Sequence, residues 1–154
     1  MSAFAAKKLR VAGYAASECI SAGYTIDVLL TAGYEAHDLR EAKCSAAELV
    51  AAGLPLARLR EGGYTAAELQ EVGFDAEMLR AAGVTLDALY ESGASVVELR
   101  RAGISATGLK AEGVALSAMK EAGYSVKELK AAGFTPLEMH SAHFRADEVS
   151  APTA

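Results

Sequence analysis

The stretch Gly63-Tyr64-Thr65-Ala66-Ala67-Glu68-Leu69-Gln70-Glu71-Val72-Gly73-Phe74 is one copy of a unit that recurs, with variations, every ten residues along the chain. Its ends read as those of a short helix. Thr65 fits the N-cap, where a side-chain oxygen accepts from a backbone N–H that has no partner inside the helix. Glu68, three residues on, completes a capping box by reaching back to the N-cap amide, and Tyr64 and Leu69 stand at the spacing of a hydrophobic staple. Gly73 supplies the left-handed residue that stops a helix, and Phe74 can fold back onto Leu69 in a Schellman-type stop. One aromatic residue thus closes one helix and opens the next.

Outward from this copy the phase holds. Glycine stands at 13, 23, 33, 53, 63, 73, 83, 93, 103, 113, 123 and 133, twelve of the fourteen glycines in the chain. The Thr65/Glu68 pair recurs as Ser45/Glu48, Ser95/Glu98, Ser125/Glu128 and Thr135/Glu138, and Pro136 falls at a first helical position, where its missing N–H costs nothing. Between cap and glycine lie about seven residues, roughly two turns, too few for a helix to stand alone in water. Burying one Leu and one aromatic contributes about 1.5–3 kcal/mol each, against about 1–2 kcal/mol for each backbone residue fixed. Each repeat must lean on its neighbours. The expected fold is all-α, a solenoid of about fourteen ten-residue repeats, each a two-turn helix plus a Gly-aromatic-Ser/Thr turn. In this the chain resembles short-repeat α-helical solenoid arrays in general.

The five-residue step from Leu69 to Phe74 also gives a resemblance to pentapeptide-repeat proteins. Those form a right-handed β-helix with a large apolar residue at the centre of each five and a small one two places earlier. Ala12, Ala22, Ala32, Ala52, Ala82 and Ala132 suit the small position. Two residues before the leucines, however, stand Asp27, His37, Glu77, Asp87, Val97 and Lys127, too large or too charged for a tight β-coil. Capping boxes have no role in a β-helix, and the helical reading is preferred.

Nothing interrupts the period, so residues 1–149 are expected to form a single domain and 150–154 a disordered tail. Departures from the consensus mark expected weak points. Ala5, Ala15 and Glu35 stand where Ser or Thr would cap, so the first helices should fray. Lys43 replaces a turn glycine and Pro55 a cap, the region expected to be irregular. Gly62 should loosen a helix end and Gly108 a helix interior. Residues 144–149 read as a polar closing turn.

The net charge of −5 argues against nucleic acid or an anionic membrane surface as a partner. No apolar run approaches the about 18 residues of a transmembrane helix, and the first ten residues lack a secretory pattern. A soluble intracellular protein is expected. Cys19 and Cys44 stand in the leucine and aromatic phases and read as core substitutes.

Catalytic constellations are not found. His140 and His143 form a pair without a third ligand in phase, whereas Zn²⁺ takes three or four. Glycines ten apart build no phosphate loop, and the Ser and Thr residues are used as caps, with no base in phase to activate them. No metal, cofactor or small-molecule substrate is indicated. Tyr14, Tyr24, Tyr34, Tyr64 and Tyr124 read as core staples.

The residues left for function are basic. Arg40, Arg60, Arg80 and Arg100 recur twenty apart, which suggests that two repeats make one layer and that the four guanidinium groups share a side. Tyr90, in the same exposed phase, is the one aromatic expected at the surface. Arg and Tyr often anchor interfaces, so Arg40, Arg60, Arg80, Tyr90 and Arg100 are the candidate partner-binding residues, facing a protein with an acidic surface. The expected function is a non-enzymatic protein-binding or scaffolding module. The alternatives are a structural spacer or assembly linker in a larger complex and a small-ligand carrier or enzyme using a groove.

Overall fold

The computed structural model of the chain describes residues 2–145 and 149. The expected tail, residues 150–154, and residues 146–148 of the expected closing turn lie outside the described residues. Two compact units, Met1–Phe74 and Asp75–Ala154, divide the chain. The first holds α1 (Ala3–Val11), α2 (Ala16–Ser21), α3 (Ile26–Thr31), α4 (Ala36–Glu41), α5 (Ala46–Ala51), α6 (Leu56–Glu61) and α7 (Ala66–Glu71). The second holds α8 (Ala76–Ala81), α9 (Leu86–Glu91), α10 (Val96–Arg101), α11 (Ala106–Ala111), α12 (Leu116–Glu121), α13 (Val126–Ala131) and α14 (Pro136–Ser141). No strand occurs among the described residues.

The local chemistry of α7 shows the repeat in its complete form. The Thr65 hydroxyl accepts from the Glu68 amide at 3.3 Å, and Glu68 Oε2 accepts from the Thr65 amide at 2.7 Å. All five expected capping boxes form in this way. At the far end the Gly73 amide donates to the Gln70 carbonyl at 2.9 Å and the Phe74 amide to the Leu69 carbonyl at 3.1 Å, the two bonds of a Schellman stop. Gly73 sits at φ 98°, and all twelve in-phase glycines have φ between 73° and 98°. The helices after α1 have six residues, one fewer than expected, because the residue before each glycine serves as the C-cap.

Helices two apart stack. In the first unit α1 packs on α3, α2 on α4 and α4 on α6; in the second α8 packs on α10, α10 on α12 and α11 on α13. Within each unit, odd and even helices therefore form two columns, and twenty residues make a layer. Tyrosine hydroxyls record the same step, Tyr64 donating to the Cys44 carbonyl at 2.7 Å and Tyr124 to the Ile104 carbonyl at 2.6 Å. The largest fully buried side chains come one per repeat, Leu29, Leu39, Leu49, Leu59 and Leu69 in the first unit and Leu79 to Met139 at the same phase in the second, with buried Ala and ring-phase residues beside them. Cys19 and Cys44 are buried at core phases, as their positions imply, and both are free thiols.

At several expected weak points the geometry of the repeat is regular. Ala5 is no cap at all: α1 begins earlier, with Ser2 as its N-cap. At Ala15 and Glu35 half of the box survives, since Glu18 and Asp38 accept from the cap amides at 2.8 and 2.7 Å. The turn at Lys43 is regular, with Lys43 itself at φ 64°, and His143 does the same at φ 60°. The chain accepts local backbone strain there to keep the layers in register. Gly62 does not loosen α6; a Cβ there would lie 2.5 Å from the Ala36 Cβ, so glycine is what lets α6 approach α4. Phe144 is buried and belongs to the repeat, whereas a polar turn was expected from that position. Among the tyrosines, Tyr34, Tyr64 and Tyr124 are buried and Tyr24 half-buried, but Tyr14 is 49% exposed.

Candidate interaction surface

The basic row occupies the seam between layers. Arg40, in the last turn of α4, lays its guanidinium 4.7 Å from the centroid of the Tyr64 ring, which follows α6 in the same column. Its Nη1 donates to Glu68 Oε2 at 3.0 Å. That carboxylate is the one already capping α7, and Tyr64 is the ring whose hydroxyl returns to the Cys44 carbonyl. Cation, ring and acid thus form one clamp across two layers.

The same clamp recurs in the second unit. Arg100 lies 4.9 Å from the Tyr124 ring, its Nη1 donates to the Ala122 carbonyl at 3.0 Å, and its Nη2 is 3.9 Å from Glu128 Oε2. Lys110 sits 4.3 Å from the Phe134 ring and donates to the Gly133 carbonyl at 2.6 Å. Lys120 lies over Phe144 and donates to the carbonyls of Ala142 and His143. Arg80, without a ring to meet, donates to the Ala102 carbonyl. Each of these carbonyls ends a helix of the next layer, where unpaired oxygens and the helix dipole favour positive charge.

Electrostatics follow from this arrangement. Hydrogen bonds from the Thr65 backbone and from Arg40 hold the Glu68 carboxyl below its usual range against the opposing effect of burial. Ser125 and Arg100 act likewise on Glu128. Burial pushes the Tyr64 phenol up to about 12. Tyr34 is also pushed up to about 12, by burial and by its contact with the Cys19 thiol at 3.3 Å.

Of the sequence candidates, Arg40 and Arg60 come together as α4 and α6 of one column, and Arg80 and Arg100 as α8 and α10 of one column. Arg40 and Arg100 are half-buried, Arg60 and Arg80 exposed. Tyr90 is 41% exposed but belongs to α9, in the other column from Arg80 and Arg100, so the structure does not bring it to their row. His37 is a surface residue, 3.0 Å from Asp38. No group of three or more His, Cys, Asp or Glu among the described residues is placed to hold a metal ion, His140 and His143 included. No helix among them is long and apolar enough to cross a membrane.

What reading the sequence repeat by repeat missed is the long step of the clamp: a cation at one position, a ring 24 residues later and an acid 28 residues later. Arg10/Tyr34/Asp38, Arg40/Tyr64/Glu68, Arg100/Tyr124/Glu128 and Lys110/Phe134/Glu138 all obey it.

Comparison with curated proteins and with solved structures gives no significant match. The family model described as the decapeptide repeat region matches residues 3–76, 43–116 and 73–146, windows that overlap and together take in every helix from α1 to α14. With its ten-residue phase, its capped six-residue helices and its glycine stops, the chain belongs to the decapeptide repeat region family.

Proposed function

We propose that the chain is a non-enzymatic protein-binding or scaffolding module in which the clamped layers act as a frame for variable surface residues. The carrying observation is a contrast between two positions of the repeat. From Leu9 to Met139 the position ending in nine is Leu, Met or Cys, and from Cys19 to Met139 it is buried in every repeat. Two residues earlier the side chain is exposed in every repeat and follows no rule: Asp27, His37, Ala47, Ala57 and Ala67 in the first unit, Glu77, Asp87, Val97, Thr107 and Lys127 in the second. Repeat scaffolds use such a division, since the framework stacks by nearest-neighbour contacts and leaves the outer face free to specify a partner.

The hydroxyls of Ser45, Thr65, Ser95, Ser125 and Thr135 are engaged in capping boxes, which favours a binding role over nucleophilic catalysis. The acidic balance of the chain favours protein over nucleic acid as the partner. We place docking on the exposed helix positions rather than on the arginine row. Arg40 and Arg100 already face Glu68 and Glu128, and an acidic partner would have to compete with both.

Affinity capture with the whole chain tests the reading. Changing Glu77, Asp87, Val97 and Thr107 together to Ala should leave the melting temperature within a few degrees, because exposed substitutions away from special features change stability by about 0.5 kcal/mol or less each. The set of captured proteins should shrink. An unchanged set, from this variant and from its counterpart in the first unit, rejects the module reading.

A further inference from the structure

We propose that a groove in the first unit, between the turns at residues 33–35 and 53–55, is the docking site for an extended basic segment of a partner protein that carries one aliphatic side chain. The proposal rests on the binding-module reading and names the partner chemistry at one place.

At this level of the stack the clamp is absent. Its positions for cation, ring, cap and acid are filled by Leu30, Leu54, Pro55 and Arg58. Where Arg10 or Lys120 lies over a ring in the equivalent seams, an aliphatic side chain stands at Leu30. The seam opens there into a groove of about 370 Å³, within the about 300–1,000 Å³ typical of ligand pockets. Leu30, Leu54 and Pro55 make its apolar lining beside the ring of Tyr34. Its floor is the close contact of α4 and α6 at Ala36 and Gly62.

The rim selects the charge. Glu35 and Glu61 border the groove, with side chains about three-fifths exposed. One layer earlier an adjoining hollow of about 630 Å³ shares Tyr34, Glu35 and His37 with it and adds Asp38 and Glu41. Against these four carboxylates stand Arg10, drawn over Tyr34, and Arg58, held 3.3 Å from Glu61. The field over the groove is therefore negative, and Lys or Arg residues flanking an aliphatic anchor complement it. An acidic segment would meet like charge on the rim.

Fluorescence anisotropy of the intact chain with a labelled Gly-Lys-Lys-Leu-Lys-Lys-Gly peptide tests this, with Gly-Glu-Glu-Leu-Glu-Glu-Gly as the comparison. The basic peptide should bind, and bind less tightly as salt rises; the acidic one should not. Leu30→Arg, which restores the cation of the other seams, should weaken the basic peptide about tenfold or more. The double change Glu35→Gln and Glu61→Gln should weaken it and flatten its salt dependence. It also keeps the test valid should Leu30→Arg fail to fold, because the Glu35 side chain makes no cap hydrogen bond to α4. Absence of basic-peptide binding, equal binding of the acidic peptide, or binding that survives both variants overturns the proposal. Loss of the groove result with partner capture intact rejects the groove alone. Loss of capture with peptide binding intact rejects the broader reading instead.

Discussion

Arg100 and Tyr124 lock two layers of the second unit together: the guanidinium lies 4.9 Å from the ring centroid while its Nη1 donates to the Ala122 carbonyl beside the ring at 3.0 Å. Removing it with Arg100→Ala should cost about 1–2 kcal/mol, the sum of a partly shielded cation–π contact and a carbonyl hydrogen bond. Its neighbour Arg101, exposed in the next position, should tolerate the same change within about 0.5 kcal/mol. Urea denaturation of the two variants makes the comparison, and equal losses would show that the clamp adds nothing beyond helix propensity.

Lys43 and Gly103 should respond in opposite directions to exchange. Lys43 holds φ 64° with a side chain attached, so Lys43→Gly relieves strain and should stabilise by about 0.5–1 kcal/mol. Gly103 holds φ 74° beside Arg80, whose Nη1 would come within 2.6 Å of an added Cβ. Gly103→Ala should therefore lose more than about 1 kcal/mol. Melting curves that move the same way for both would mean that the left-handed turn residue is not what these positions require.

The two glycines outside the turn phase separate packing from propensity. A Cβ at Gly62 would meet the Ala36 Cβ at 2.5 Å and its carbonyl carbon at 2.9 Å, so α6 would have to move; Gly62→Ala should cost about 1–3 kcal/mol. At Gly108 the nearest atom is the tip of the Leu86 side chain, at 3.1 Å. That tip can turn aside, and Gly108→Ala should fall within about 1 kcal/mol of the parent, helped by the better helix former. A larger loss at Gly108 than at Gly62 in urea titrations would reverse this assignment.

Stability should fall on both sides of a broad pH plateau. Hydrogen bonds from their cap residues hold Glu48, Glu68, Glu98, Glu128 and Glu138 below the usual carboxyl range in the folded chain. Their contribution is present above the unfolded value of about 4.3 and is lost as pH falls through the lower folded values. Tyr34 and Tyr64 are raised from 10.0 to about 12 by burial. The unfolded phenols ionise first on the alkaline side, so the stability they carry is full below 10.0 and disappears as pH climbs through about 12. Melting temperature against pH, with tyrosinate absorbance on the alkaline limb, checks both edges. A tyrosine titration centred at the free-phenol value would place those rings in water.

The sequence carried the repeat in full and the layer contacts only in part. Caps, stops and the buried leucine of each repeat were legible because they act within ten residues, where spacing alone states the geometry. Gly62 was misread, since its reason is Ala36, a neighbour only after the column forms. The arginine row was seen, and its twenty-residue step correctly implied two repeats per layer. Its engagement with rings and acids was not, because it needs the pairing of α4 with α6 and of α10 with α12 before residues 24 and 28 apart can meet. Lys43 taught the converse lesson: the regular turn there is imposed by the neighbouring layers against the preference of the residue itself.

The tyrosine hydroxyls that reach back twenty residues, Tyr34 to Tyr14, Tyr64 to Cys44 and Tyr124 to Ile104, also set the increments by which such a chain can change length. Loss or duplication of a whole layer within a unit leaves each hydroxyl opposite a backbone carbonyl and keeps every helix in its column. An indel of a single repeat between residues 40 and 64 keeps the leucine in phase but exchanges the columns downstream, so that Arg40 would no longer meet Tyr64. Length changes that keep these cross-layer pairs therefore come in steps of two repeats, a coarser unit than the period the residues display.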